Sequence, residues 1–440
     1  MARRRAHVPL NVFLNNRLVG RLAKEASGAV EFAYDQSWLN WEHALPVSLS
    51  LQLRETRYTG AAVTAVFDNL LPDSAPIRTR VAERVGAEGT DAYSLLTRIG
   101  RDCVGALQFL PDGEAAEPAG ALNGEALDEA AIEAILLDLA RAPLGLHGND
   151  AFRISIAGAQ EKTALLRDGD RWLRPFGTTP TTHILKPQIG HIQTSAGTID
   201  LSNSVENEFY CLKLMEAFGL EANRVEMASF GRVRALVVER FDRLRTRDGR
   251  LIRLPQEDCC QALSVPPTRK YQSEGGPGIV DIVRLLGASD LPGQDQLAFF
   301  KSQIIFWLIG ATDGHAKNFS LALRPGGRFH LTPFYDVLTV QPSVDHGQVP
   351  HKAFRLAMSV GGNRKYRITD IHGRHFVEIG REAGLGPAVI RQALAEVRAS
   401  AEQVSHRVTA ALPRDFPEAV HASVQAAIES RLERLGTAEI

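Results

Sequence analysis

The four cysteines of this 440-residue chain, Cys103, Cys211, Cys259 and Cys260, form no C-x-x-C pair. That spacing excludes a zinc ribbon and a disulfide framework, and it fits a reducing compartment. Neither sign of charge is in excess: 50 basic residues meet 51 acidic ones, for a net charge of −1. No bulk field therefore draws the chain to nucleic acid or to an anionic membrane, and work at DNA would fall largely to a partner. Long apolar runs are missing as well. The very apolar stretch Ile304–Ile309 falls far short of the ~20 residues of a membrane span. No such run follows Arg3-Arg4-Arg5 before Asn15-Asn16, so neither a signal peptide nor a transmembrane helix is expected. The expected location is the cytoplasm, with no membrane partner. No internal repeat is visible.

What remains is an ordinary globular composition, 44% hydrophobic and 23% charged, in a chain long enough for two or three packed subdomains. Val12-Phe13-Leu14, Asn15-Asn16 and Leu18-Val19-Gly20 predict a hairpin. A helix is expected from about Ala61 to Leu71, closed by Pro72-Asp73-Ser74, and a strand over Val104–Leu110. Residues 111–125, rich in Pro, Gly, Ala and Glu, read as a linker. Helical spacing follows over Asp128–Arg141. Four short strands are then expected, over Arg153–Ala157, Thr163–Arg167, Arg171–Pro175 and Thr182–Lys186. A helix over Ser204–Phe218 ends at Gly219. A hairpin through Gly231-Arg232 leads into the apolar strand Ala235–Val238. From Gln296 onward the pattern is mainly helical, apart from a hairpin at Pro325-Gly326-Gly327.

The most informative stretch is Ala311-Thr312-Asp313-Gly314-His315-Ala316-Lys317-Asn318. Asp313 and Asn318 stand in the D-x-x-x-x-N spacing of a kinase catalytic loop, where the Asp accepts the proton of the attacking hydroxyl and the Asn holds magnesium. The apolar helix before it is a good platform for such a loop. Other pieces surround it in order. Ala157-Gly158-Ala159-Gln160-Glu161-Lys162 has the small residues that let backbone N–H groups approach phosphate, though it is neither a Walker A sequence nor G-x-G-x-x-G. Lys186 shares a strand face with Ile184, where an ammonium wants an anionic partner. Glu208 interrupts the stripe Val205, Leu212, Met215 and could pair with Lys186, whereas Glu206 and Glu216 fall where solvent or a cap is expected. Asn203 with Glu206 resembles a capping box. Val238-Glu239-Arg240-Phe241-Asp242 ends an apolar strand where a kinase places its hinge. Asp336 follows aromatics in Pro333-Phe334-Tyr335-Asp336, without the D-F-G order.

Each piece also has an ordinary reading: a hairpin turn, a strand-end lysine, a Glu at a stripe's edge, a strand end, a helix cap. Their order is what a phosphoryl-transfer site requires: a cradle and a cation for phosphates, metal ligands, and a carboxylate near the nucleophile. His346 and His351 lack a third ligand and are not expected to bind metal. Gly275, Gly276 and Gly278 precede no Gly-Lys-Ser/Thr and read as a flexible loop near the cleft.

These residues closely resemble the HipA family of bacterial serine/threonine kinase toxins. The similarity extends to Phe67-Asp68-Asn69-Leu70-Leu71-Pro72-Asp73, Ile99-Gly100-Arg101-Asp102, Ile156–Lys162, Leu254-Pro255-Gln256-Glu257-Asp258 and Ser273-Glu274-Gly275-Gly276-Pro277-Gly278. The resemblance implies an α+β, kinase-like two-lobed fold. It would comprise an N-terminal α/β subdomain over 1–110, the linker, a small lobe over 126–245, and an all-helical C-terminal lobe over 246–440. It implies ATP and Mg2+ as cofactors. Asp313 would be the catalytic carboxylate, and Asn318 and Asp336 the metal ligands. Lys186 would contact phosphates together with the loop Ala157, Gly158, Ala159, Gln160, Glu161 and Lys162. Glu239 and Phe241 would sit at the adenine, and His315 would join the nucleotide-binding set. Ser155 would be a regulatory autophosphorylation site. Strand alternation would turn it away from Ile154 and Ile156, and a phosphate there would add about two negative charges beside the nucleotide.

The family's typical substrate is an aminoacyl-tRNA synthetase, notably glutamyl-tRNA synthetase, with growth arrest and persistence as the outcome. Its partner is a helix-turn-helix antitoxin, HipB, that binds the kinase and carries it to operator DNA. Two other readings stay open on residues alone: a kinase for a small molecule or lipid, and a non-catalytic corepressor. The set Lys186, Asp313, Asn318 and Asp336 argues against the corepressor, because a scaffold needs none of them.

Overall fold

The computed structural model describes residues 7–114, 120, 122–146, 153–194 and 197–436. Arg3–Arg5 and, within the linker, 115–119 and 121 lie outside the described residues. The described residues form two compact units. One draws on Met1–Pro187, Ala228–Thr268 and Ser320–Phe329, the other on Gln188–Met227, Arg269–Phe319 and His330–Ile440.

The first unit opens with an antiparallel sheet in the order Tyr58–Thr59, Val30–Tyr34, Arg17–Lys24, Leu10–Leu14, Leu107–Pro111. The expected hairpin is there: Asn15 and Asn16 adopt positive φ (44° and 69°), which asparagine tolerates and which matches strand twist. Helices Ala61–Asp68, Ala75–Val85 and Ala92–Ile99 contribute Val63, Phe67, Ile77, Val81, Leu95 and Leu96 to the core. Pro72-Asp73-Ser74 does more than end a helix. Ser74 accepts a hydrogen bond from Ile77 N and starts the next one.

A second sheet of the same unit sets His183–Pro187 between Val233–Glu239 and Thr163–Asp168, followed by Arg171–Pro175 and Gly124–Leu127. Helix Glu129–Asp138 covers it, packing Ile132, Ile135 and Leu136 on Leu165, Leu185, Phe230, Ala235 and Val237. The chain turns at Gly231 (φ 56°) between strands Val225–Phe230 and Val233–Glu239. Arg153–Ala157 is not the expected strand. A single parallel bridge ties Ile154 to Asp102, and Ser155 N donates to Asp102 O at 2.9 Å. Ile154, Ser155 and Ile156 are all buried, so alternation does not sort their faces.

Between the two sheets' connections lies a buried ion cluster. Asp102 accepts from Arg243 Nη2 at 2.8 Å, Arg253 Nε at 2.9 Å, Thr181 N at 3.0 Å and Thr181 Oγ1 at 2.7 Å, with Arg240 Nη1 at 3.4 Å. Asp242 accepts from Arg240 Nε and Nη2, from Gly105 N at 2.7 Å and from Gln256 Nε2 at 3.1 Å. Burial alone would raise both carboxyls. Arg243, Arg253 and Arg240 reverse that at Asp102, holding it well below the usual range, and Arg240 with Arg243 holds Asp242 at about 2.

The second unit is mainly helical: Ser204–Ala217, Ile279–Leu286, Pro292–Ile309, Gly373–Glu382, Pro387–Thr409 and Glu418–Leu435. It also contains a two-stranded ladder, Arg355–Val360 with Lys365–Arg367, that the helical pattern did not signal. On Ser204–Ala217 the capping box is absent, because Asn203 makes no side-chain cap bond. Gln188 takes over: its Oε1 accepts from Val205 N at 2.9 Å and its Nε2 donates to Glu206 at 2.6 Å. Glu206 is therefore buried rather than solvated, as are Glu208, Val205, Leu212 and Met215. Among the described residues no helix is long and apolar enough to cross a membrane.

Candidate functional site

The candidate residues Asp313, His315 and Asn318 belong to the second unit, and a rigid helix delivers them. Pro292–Ile309 buries Phe299, Phe300, Ile304, Ile305, Phe306, Trp307 and Leu308. Gly310 ends it in the left-handed conformation (φ 72°), and Ala311 N returns to Phe306 O at 2.9 Å. Arg431 donates to Leu308 O at 2.7 Å and so satisfies a carbonyl of the last turn. The loop then closes on itself. His315 N and Asn318 Nδ2 both donate to the carbonyl of Asp313, at 2.8 and 2.7 Å. Gly314 has to be glycine, because a Cβ there would lie 2.5 Å from the Phe306 ring.

This arrangement presents the Asp313 carboxylate at the end of a packed helix, with its side chain 55% exposed. His315 is buried beside it, with Nε2 3.9 Å from Asp313 Oδ1. A carbonyl only accepts, so the Asn318 amide must offer it nitrogen, and Oδ1 is left as the atom that could meet a cation. Tyr335 Oη donates to Lys317 O at 2.8 Å, which ties the Pro333–Asp336 segment to the same loop. Asp336 itself holds a positive φ of 57°, a conformation that costs a non-glycine residue of order 1 kcal/mol or more. Asn318 and Asp336 supply the oxygen chemistry that magnesium prefers. Among the described residues no group of three or more His, Cys, Asp or Glu side chains could hold a metal.

The loop Ala157–Lys162 belongs to the first unit. Gly158 takes φ 110°, and its carbonyl accepts from Asp73 N at 3.1 Å. Lys162 Nζ donates to Ala157 O at 3.0 Å, Gln160 Nε2 to Pro187 O at 3.1 Å, and Glu161 pairs with Arg80 at 2.6 Å. Thr163 pairs with Leu185, so Lys162 and Lys186 each adjoin the last pair of that ladder. Both lysines are buried, and two ammoniums at one end of a sheet concentrate the positive charge that a polyphosphate needs. Ser155 Oγ donates to Leu70 O at 2.7 Å, with the side chain fully enclosed.

Comparison with known proteins agrees with these motifs. Residues 10–110 match the HipA N-terminal domain and residues 154–405 the HipA-like C-terminal domain. The chain belongs to the HipA family of kinases. It is 35% identical to the putative kinase Y4mE of Sinorhizobium fredii over 404 residues, covering 91% of each chain. It is 29% identical to the serine/threonine-protein kinase toxin HipA of Shewanella oneidensis, over 80% of this chain and 78% of that one. Its fold matches HipA in the Shewanella oneidensis complex of HipA, HipB and operator DNA, with a TM-score of 0.79 at 22% identity over 98% of this chain and 100% of that one. The fold is thus the α+β, kinase-like fold of the HipA family.

In this HipA-family chain, Asp313, His315 and Asn318 are joined by contacts within one loop, and Asp336 is joined to it through Tyr335. Lys186, Lys162 and the small-residue loop gather at one end of the first unit's sheet. At the end of the strand Val233–Glu239, Glu239 is exposed and Phe241 half-buried, while the alternate residues Arg240 and Asp242 point into the ion cluster. Glu208 is buried on helix Ser204–Ala217. Sequence reasoning missed Tyr271, whose hydroxyl donates to Asp313 Oδ1 across 42 positions of sequence. No local pattern signals that contact; only the neighbouring Gly-rich motif marks the segment.

Proposed function

We propose that this chain is an ATP- and magnesium-dependent serine/threonine protein kinase acting as the toxin of a toxin–antitoxin pair. Its substrate is an aminoacyl-tRNA synthetase, glutamyl-tRNA synthetase being the first candidate. Its partner is a HipB-type antitoxin that brings it to operator DNA. One observation carries the reading: a carboxylate, Asp313, stands exposed at the end of a buried helix with Asn318 folded onto its own carbonyl. Asp313 receives the proton of the substrate hydroxyl, the role geometry and exposure suit it to. Asn318 and Asp336 would hold the magnesium ion, which supplies neutralisation of phosphate charge. Lys162, Lys186 and the Ala157–Glu161 backbone would orient the phosphates, with Glu239 and Phe241 toward the base. The near-zero net charge and the HipA–HipB–operator complex of the structural relative support delegated DNA contact.

Autophosphorylation at Ser155 belongs to the same proposal. A fully enclosed hydroxyl bonded to Leu70 O has no room for a phosphate, so the segment must leave its seat to be modified. Once modified, it would keep the adjoining Ala157–Lys162 loop from closing. A Ser155→Asp protein that binds ATP as tightly as the wild type would count against this. The decisive experiment is transfer from labelled ATP with magnesium, comparing wild type with Asp313→Ala and offering glutamyl-tRNA synthetase. Transfer lost in the mutant supports the kinase; synthetase labelling names the substrate. Protein free of phosphate at Ser155 that labels neither itself nor the synthetase would refute the reading.

A further inference from the structure

We infer that Tyr271 is a positioning residue for Asp313, and that the Gly-rich turn after it exists to hold it there; this rests on the kinase reading above. The Asp313 carboxylate is more than half exposed, so its rotation is poorly restrained by packing. Its backbone carbonyl is fixed by His315 N and Asn318 Nδ2, but those bonds do not reach the carboxylate. The Tyr271 hydroxyl does, donating to Oδ1. Its ring stands edge-on to His315, with centroids 4.9 Å apart and planes at 85°, which fixes where the phenol can point. One oxygen is thereby held and the other is left for the substrate hydroxyl.

The segment carrying Tyr271 is built tightly. Ala316 N donates to Lys270 O at 3.4 Å, which joins it to the catalytic loop. Glu274 N and Gly276 N both return to Tyr271 O, at 3.0 and 2.9 Å. Gln272 Oε1 accepts from Ser359 N at 2.7 Å. A Cβ on Gly276 would fall 2.0 Å from Arg269 O and 2.8 Å from Tyr271 O, contacts a backbone cannot absorb without moving. The turn expected to be a flexible loop is a folded bracket whose product is the placement of one phenol. Catalysis by a positioned base is sensitive to sub-ångström displacement, so the bracket has a kinetic consequence.

The test is a double-mutant cycle on phosphate transfer with Tyr271→Phe, Gly276→Ala and the pair, measuring kcat and KM for ATP, with thermal melting as a check on folding. Tyr271→Phe keeps the ring and removes only the hydroxyl. A tenfold fall in kcat is expected, with KM for ATP within twofold. Gly276→Ala is expected to fall by a similar factor, and the double mutant to be no worse than the poorer single mutant, because both act through one contact. If Tyr271→Phe keeps kcat within twofold of wild type, or raises it, the role is wrong. Multiplying losses in the double mutant would equally overturn it, since Gly276 would then act elsewhere. A wild type that binds ATP but transfers to nothing, itself included, overturns the kinase reading, and this role falls with it. An active wild type with an unaffected Tyr271→Phe overturns the role alone.

Discussion

Replacing Asp102 by Asn should be among the most damaging single changes in the first unit. The cluster holds three guanidiniums and two carboxylates, all buried, and so carries one net positive charge. Neutralising Asp102 leaves Arg240, Arg243 and Arg253 around Asp242 alone. It also turns an amide toward donors that had a carboxylate: Arg243 at 2.8 Å, Arg253 at 2.9 Å and Thr181 Oγ1 at 2.7 Å. Removing one partner of a buried ion pair costs ~3–5 kcal/mol, and three guanidiniums sharing the loss put this site at the upper end. Urea unfolding followed by tryptophan emission suits the case, because Trp38, Trp41 and Trp172 lie in this unit and only Trp307 in the other. Adding Arg253→Met to Asp102→Asn restores the cluster's net charge and should recover part of the loss. A cost below about 1 kcal/mol, or no recovery in the double variant, would refute the argument that charge balance holds this junction. Acid should act in the same direction. Both carboxyls are depressed in the folded protein, so their contribution is complete above the ordinary carboxylate range and is lost as pH falls from about 4 toward about 2.

Glu257 shows the opposite dependence. It is fully buried, its Oε1 accepts from Leu49 N at 2.7 Å, and burial pushes its carboxyl up to about 8. The folded state therefore keeps a proton that the unfolded chain has released, and stability falls as pH rises from about 4.5 to about 8. Glu257→Gln keeps the acceptor, removes the titration and should gain up to about 3 kcal/mol at pH 7 relative to pH 4; parallel melts at the two pH values check it, and equal effects at both would exclude the mechanism. Gly314→Ala should leave the fold intact by circular dichroism yet lower kcat ten- to a hundredfold, because its Cβ, 2.5 Å from the Phe306 ring, displaces the Asp313 loop; an unchanged kcat would show the loop absorbs it.

What was legible in the sequence was local. Asp313 and Asn318 are five positions apart, and one turn of chain brings them together, so spacing could find them. The Asn15-Asn16 hairpin was readable for the same reason: two positive φ values are written in two residues. Arg153–Ala157 misled because apolar alternation reports exposure only where one side of the chain faces water, and here both sides are covered. Glu206 misled because Gln188, not Asn203, caps its helix, and nothing in the helix announces a partner 18 residues earlier. Tyr271 and the ion cluster were invisible for a plainer reason, since their contacts join residues 42 and up to 151 positions apart.

The path of the chain sets a clock on synthesis. Each unit is assembled from three separate stretches, and the first is complete only when Phe329 has been made. Asp102 leaves the ribosome 151 residues ahead of Arg253. At roughly 5–20 residues per second that is a wait of about 8–30 s. During it the carboxylate is without the Arg253 guanidinium, and Leu70, the acceptor for Ser155, is made 85 residues before its donor. The N-terminal sheet can close on its own strands in that time, but the junction beneath it cannot. The first unit therefore closes late, after most of the chain has been translated, and a nascent chain released before Phe329 lacks that unit's last stretch.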